Sequence, residues 1–191
     1  MSDLQDALSA YLAGDNSLRP QLLEARTELF DIIKVRLPHE TDRNQWRLLI
    51  LLGQLNLPGA TDILIPFLSH PRNPIKSVTA QILGTTTCKK ALSALLDELE
   101  RPESAVHIWV VQALGNFQDE QVVEALTQVL SSAKSEVVLY TAIQSLGEVA
   151  DSTAIPVIEP FLQHHSHHVR RYSKEAIATL RHKTKGHFND S

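Results

Sequence analysis

Near the C-terminal end the chain carries the run His164-His165-Ser166-His167-His168, which holds four of its nine histidines. Neutral imidazole is a ligand for zinc, copper and nickel, so the run invites a metal reading. A structural zinc site needs four converging donors, usually with cysteine or carboxylate among them. Here the run falls between two helical patterns and no cysteine lies near it in sequence. Histidines adjacent in a loop are not expected to converge, and the expectation is no metal site. The single cysteine, Cys88, precedes Lys89 and Lys90, whose charges would lower a thiol pKa. A reactive thiol and a small, partly buried turn residue both fit it. No glycine-rich phosphate loop, no His-Glu-x-x-His and no Gly-x-Ser-x-Gly occurs in the chain. The carboxylates are scattered, so no catalytic residue can be named from spacing alone.

Whatever chemistry these side chains do must be positioned by a repeat. Val106 to Gly115, VHIWVVQALG, recurs loosely four more times, with anchors at Gly53, Gly84, Gly115, Gly147 and Ala178, spaced 31, 31, 32 and 31 residues apart. One residue before the anchors stand Leu52, Leu83, Leu114, Leu146 and Ile177; fifteen after them stand Leu68, Leu99, Leu130 and Leu162. Internal periods of this length mark stacked supersecondary units. Apolar or small residues at offsets −9, −5, −2 and −1 form one helical face, and a second face follows at +7 to +15. Each copy therefore reads as two antiparallel helices, A then B. Gly115 reads as the C-terminal turn of helix A, where a left-handed residue is favoured. No stretch alternates with period two. The fold class expected is all-α, a right-handed α-solenoid of helical hairpins, because one hairpin cannot cover its own apolar faces. Val110, Leu114, Leu126, Leu130, Leu146 and Leu162 are the expected core.

A single domain is expected over residues 1–182, with an N-terminal capping repeat at 1–42, four repeats at 43–163 and a terminal helix at 164–182. The A helices fall near 43–53, 73–84, 104–115 and 135–147, and the B helices near 60–69, 90–100, 119–131 and 153–163. Asp119 and Asp151 are candidate N-caps. Pro66 and Pro160 should bend or end their B helices, since proline lacks the N–H and clashes one turn back. Residues 183–191 lack periodicity and read as a disordered tail.

Composition is that of a soluble globular chain, with 43% hydrophobic and 21% charged residues. No apolar run approaches the ~18 residues of a membrane span. The N-terminus lacks a secretory pattern. One cysteine fits a reducing compartment, and a cytoplasmic location is expected. Residues 1–163 hold 12 Lys and Arg against 20 Asp and Glu, a net −8, whereas residues 164–191 carry +4. The acidic body argues against nucleic-acid binding. The basic end fits either an acidic partner or a solvated cap.

The HEAT-like repeat of phycobilisome (bilin) lyases resembles this pattern. Val169-Arg170-Arg171-Tyr172-Ser173-Lys174-Glu175-Ala176-Ile177-Ala178 is similar to its helix A motif, V-R-x-x-A-x-x-A-L-G. Gly147 through Ile158 is similar to its helix B motif, D-x-x-A-(I/V)-x-x-L. The resemblance covers about residues 44–180, and the motif's arginine slot holds Gln45, Lys76, His107, Leu139 and Arg170. It implies a subunit similar to the smaller, F-type subunit of a heterodimeric lyase. Such a subunit pairs with a second HEAT-like lyase subunit and attaches (or removes) phycocyanobilin at a cysteine of a phycobiliprotein. It implies phycocyanobilin as substrate rather than a permanently bound cofactor. Candidate ligand-binding residues are His107, Trp109, Asp119, Glu124, Tyr140, Arg170 and Tyr172: carboxylates for pyrrole N–H groups, cations for propionates, aromatic faces for the rings. The alternative is a non-catalytic HEAT-repeat adaptor in phycobilisome assembly or degradation.

A second pattern concerns partners. Offsets −7 and −4 of helix A hold Trp46, Ile108, Val111, Tyr140 and Ile143, apolar residues beyond those the core stripe needs. Either neighbouring helices cover them or they form an outer patch for a protein partner. The patch reading makes these five residues the partner interface, with Trp46 and Tyr140 as anchors.

Overall fold

The computed structural model describes residues 2–101 and 107–187, and every regular element among them is helical. The chain divides into two compact units, residues 1–86 and 87–191. Within each unit the elements are stacked helical hairpins, as the period requires. Among the described residues no helix is long and apolar enough to cross a membrane.

Unit 1 contains α1 (Ser2–Ala13), α2 (Arg19–Glu24), α3 (Arg26–Arg36), α4 (Asp42–Leu55), α5 (Ala60–Leu64) and α6 (Asn73–Thr86). The N-terminal cap is an α-helix followed by a broken one, with Ala25 at φ −86°, ψ 46° separating α2 from α3. The cap is fastened to α4 by Arg47. Its guanidinium donates to the Tyr11 carbonyl and to Asn16 Oδ1, both at 2.7 Å, and lies 4.1 Å from the Tyr11 ring centroid. Leu48, Leu49, Leu51 and Leu52 are fully buried, so the leucine-rich helix is covered within this unit. Trp46 is the exception, 43% exposed.

Unit 2 contains α7 (Lys89–Leu99), α8 (His107–Leu114), α9 (Glu120–Ser132), α10 (Glu136–Val149), α11 (Ile155–Ile158) and α12 (His167–His187). Helix α10 packs against α8 on one side and α12 on the other, and against α9. Two of the three B helices are capped by an aspartate side chain. Cys88, Asp119 and Asp151 stand at corresponding N-caps, Asp119 Oδ1 accepting from Gln121 N at 3.0 Å and Asp151 Oδ1 from Thr153 N at 2.8 Å. The prolines act as expected: Pro66 and Pro160 each open a 3-10 segment, Ile65–Ser69 and Glu159–Gln163, that finishes the B helix.

Three expectations are corrected. Val110, Leu114, Leu126, Leu130 and Leu146 are buried, but Leu162 is only half-buried because its 3-10 segment turns it off the α-helical face. Anchor glycines do not serve left-handed caps. Positive φ occurs only at Gly14 and Gly59 among the described glycines, whereas a Cβ on Gly147 would lie 2.9 Å from Ala176 Cβ and 3.0 Å from its Cα. Glycine there permits α10 and α12 to touch. Finally, α12 runs to His187, past the expected tail boundary at 183. Lys183 Nζ donates to the carbonyls of Glu148 and Ala150 at the C-terminus of α10, where a cation offsets the helix dipole. Residues 188–191 lie outside the described residues, as does Val106 of the opening motif.

Candidate functional site

Helices α10 and α12 lie side by side, and they carry aromatic residues one period apart. The rings of Tyr140 and Tyr172 stack with centroids 4.9 Å apart and planes 12° from parallel. Offset stacking at this distance is favourable for aromatic rings. His168 approaches Tyr140 at 6.0 Å, and the Arg171 guanidinium lies 5.2 Å from the Tyr172 centroid. Along the same helix His167, Arg170, Arg171, Lys174 and Glu175 line a shallow concavity of about 400 Å³. The pair Tyr140 and Tyr172 is thus half-buried beside cations, a surface suited to a flat, conjugated, anionic ligand.

The other candidates separate. Arg170 is occupied: its Nη1 donates to the carbonyls of His164, at 2.8 Å, and His165, at 2.7 Å, bracing the loop before α12. Arg171, which bonds Glu175 Oε1 at 2.9 Å, is the cation beside the tyrosines, and Lys174 lines the adjoining concavity. Both follow in the same VRRYSKEA segment, so their one-turn spacing was the available signal. Asp119 is a helix cap. His107 Nε2 lies 2.9 Å from the Arg101 carbonyl, and Trp109 is half-buried on α8. Glu124 belongs to a different feature, a groove of about 370 Å³ between α7 and α9 lined by Leu96, Leu99, Glu100, Gln121 and Val129 among others.

The proposed outer stripe also divides. Val111 and Ile143 have no exposed surface and are core, which corrects their assignment to an interface. Helix α10 meets neighbours on two opposite sides, so both the −5 and −4 slots face packed helices. Ser145 adds a buried polar tie, its hydroxyl donating to the Val111 carbonyl at 3.2 Å. Ile108 and Tyr140 are half-buried, and Trp46, in the other unit, is exposed.

The histidine run behaves differently from expectation. Glu136, His164 and His165 each present a ligand atom within 4.8 Å of the others. His165 Nε2 lies 2.7 Å from Glu136 Oε1, and the two imidazole centroids are 4.1 Å apart. The Glu136 carboxyl is held below the ordinary glutamate range, first by a hydrogen bond with the Ser166 side chain and then by His165. The adjacent histidines converge because the acid comes from the preceding repeat.

Residues 92–178 match the family model described as HEAT repeats. A curated relative, phycocyanobilin lyase subunit alpha from Nostoc sp. (strain PCC 7120 / SAG 25.82 / UTEX 2576), is 28% identical over 102 residues, 48% of this chain and 37% of that protein. The chain thus spans little more than a third of that relative's length. Among solved structures, the complex of CpcE and CpcF of phycocyanin lyase from Nostoc sp. PCC7120 superposes with a TM-score of 0.66 at 23% identity, over 79% of this chain and 64% of that chain. A designed armadillo repeat protein in complex with the peptide (KR)4 gives a TM-score of 0.63 at 17% identity, over 94% and 92% of the two chains. At these identities the structural likenesses define the fold, a HEAT- and armadillo-like helical repeat.

Proposed function

We propose that this chain is one subunit of a bilin lyase, acting with a second HEAT-repeat subunit on a phycobiliprotein cysteine and phycocyanobilin. The observation that carries this reading is its likeness to the phycocyanobilin lyase subunit. The stacked tyrosines beside Arg171, with Lys174 in the adjoining concavity, support it, because a linear tetrapyrrole offers flat rings and two propionates. In the reaction the acceptor thiol adds across a vinyl-like carbon–carbon double bond. A C–S bond forms, and the thiol proton ends on the neighbouring carbon; removal is the reverse. Neither direction needs an oxidant or a covalent enzyme intermediate. Holding thiol and double bond in register supplies the rate, as intramolecular alignment does elsewhere. In this assignment Tyr140 and Tyr172 stack on a pyrrole ring, and Arg171 and Lys174 pair with propionates. Trp46 is the aromatic anchor for the partner subunit, since exposed tryptophans dominate binding energy at interfaces.

The test is reconstitution of the chain with a second lyase-type subunit, a phycobiliprotein α-subunit and phycocyanobilin. Colour that stays with the phycobiliprotein on a denaturing gel reports the thioether. The pair Tyr140→Leu and Tyr172→Leu should raise the bilin Kd by about tenfold, each lost stacking contact being worth ~0.5–1.5 kcal/mol. Trp46→Ser should weaken the subunit complex while leaving helical circular dichroism unchanged. A colourless complex with one protein, and no bilin binding with or without the second subunit, would overturn the lyase reading in favour of an adaptor.

A further inference from the structure

Two histidine turns in this chain are built on the same frame, and they differ by one ligand. Pro66-Phe67-Leu68-Ser69-His70 precedes α6, and Pro160-Phe161-Leu162-Gln163-His164 precedes α12. His70 Nδ1 accepts from Arg72 N at 3.1 Å, and His164 Nδ1 accepts from Ser166 N at 3.2 Å. Each histidine lies against its phenylalanine, with ring centroids 6.1 Å and 6.4 Å apart. Each also faces an acid at the first residue of the preceding A helix, Asp42 on α4 and Glu136 on α10. The turn, its first histidine and the acid therefore belong to the repeat. What the second copy adds is His165, at the position where the first copy has Pro71.

We propose that Glu136, His164 and His165 form a binding site for a divalent late transition-metal cation, with zinc as the reference ion. Two imidazoles and one carboxylate are a donor set for this class of ion. Metal–ligand bonds of ~2.0–2.2 Å place the donors of a tetrahedral site about 3.3 Å apart. The present spacing, from 2.7 Å to within 4.8 Å, brackets that value. The backbone beneath is already fixed, because Arg170 Nη1 holds both histidine carbonyls.

His164 sets the proton balance. With Nδ1 accepting from Ser166 N, the neutral ring carries its proton on Nε2. Coordination through Nδ1 replaces the Ser166 bond; coordination through Nε2 moves the proton to Nδ1 and gives that bond up. His165 and Glu136 exchange their mutual contact for the metal. Three protein donors leave a position for water or an outside ligand, so the site is exchangeable rather than a closed structural one. His168 faces Tyr140 and His167 meets His168 edge-on, outside the cluster. The site stands apart from the lyase reading, since it needs neither bilin nor partner.

The experiment uses the tag-free chain of residues 1–191, stripped with chelator and titrated with Co²⁺, whose visible d–d bands report imidazole and carboxylate ligation. Zn²⁺ competition then gives the zinc affinity. One equivalent should saturate, and Zn²⁺ should displace it. His165→Ala and Glu136→Gln should each weaken binding about tenfold or more, with unchanged helical circular dichroism, and His165→Asn should repeat the first effect. His70→Ala and the double change His167→Ala, His168→Ala should leave affinity within about twofold. Lack of saturable binding below about 1 mM overturns the proposal. So does a loss that follows His167 and His168 instead, which would make the run a flexible histidine tag.

Discussion

Gly147→Ala tests why the repeat ends its A helices in glycine. Carbon atoms pack at ~3.5–4.0 Å, so a Cβ placed 2.9 Å from Ala176 Cβ and 3.0 Å from its Cα is too close by about 0.5–1 Å. A backbone atom cannot rotate away, and α10 must separate from α12. Overpacking of this kind costs about 1–3 kcal/mol. Against it stands the helix propensity of alanine over glycine, at most ~1 kcal/mol and less near a helix end such as this. The net expectation is destabilisation of about 0.5–2 kcal/mol, read as a lower urea midpoint at unchanged slope. Gly53→Ala is the contrast, because its new Cβ would meet only the Ile82 side chain, Cγ2 at 2.7 Å, which can change rotamer. It should cost less. Ala176→Gly should rescue Gly147→Ala only in part, because the backbone of residue 176 still stands in the way. Near-ultraviolet circular dichroism should change as well, since the stacked Tyr140 and Tyr172 span the same two helices. Stability of Gly147→Ala equal to or above that of the parent, or no coupling with Ala176→Gly in the double-mutant cycle, would refute close approach as the role of this glycine.

Leu114→Ala should cost about 2–5 kcal/mol in denaturant unfolding, since the side chain is fully buried and its loss leaves a cavity. Asp119→Ala should cost about 0.5–2 kcal/mol by removing the cap of α9, without changing bilin affinity, because the carboxylate is spent on Gln121 N. Acid should weaken the fold in the carboxylate range. The Asn44 side chain, opposed by burial and aided by Arg36, holds the Glu40 carboxyl below its ordinary value of 4.5; Ser17 and Thr153 likewise hold Asp15 and Asp151 below 3.8. A depressed folded value gives stability that is present above the unfolded pKa and lost as pH falls through the folded one, so unfolding midpoints should decline below about pH 4.5. Glu40→Gln should flatten that decline.

The period made the helices legible. Apart from the start expected near 104, which lies outside the described residues, the A and B boundaries read from anchor spacing agree with those observed to within a few residues, and both mid-helix prolines open 3-10 segments. The offset −4 slot was misread for a physical reason. A hydrophobic stripe read on one helix assumes one buried face, yet Val111 and Ile143 sit on helices with neighbours on two sides. The site was half legible for a related reason. In stacked repeats, residues about one period apart become spatial neighbours: Tyr140 meets Tyr172, Ser145 reaches Val111 34 residues away, and Glu136 meets His165 29 residues away. Read as a linear run, the histidines lacked a cysteine or carboxylate partner and pointed nowhere. Paired through the period, they fall beside the first turn of the previous A helix, where Glu136 already stands. Arg170 shows the same limit from the other side. Its place in the motif marks it as a cation near the tyrosines, but the carbonyls of His164 and His165, six and five residues back, claim its guanidinium. The cation that does lie over the tyrosines is its neighbour Arg171. In this fold the helical face locates the core, and the period locates partners; a polar residue's role follows only when both are applied.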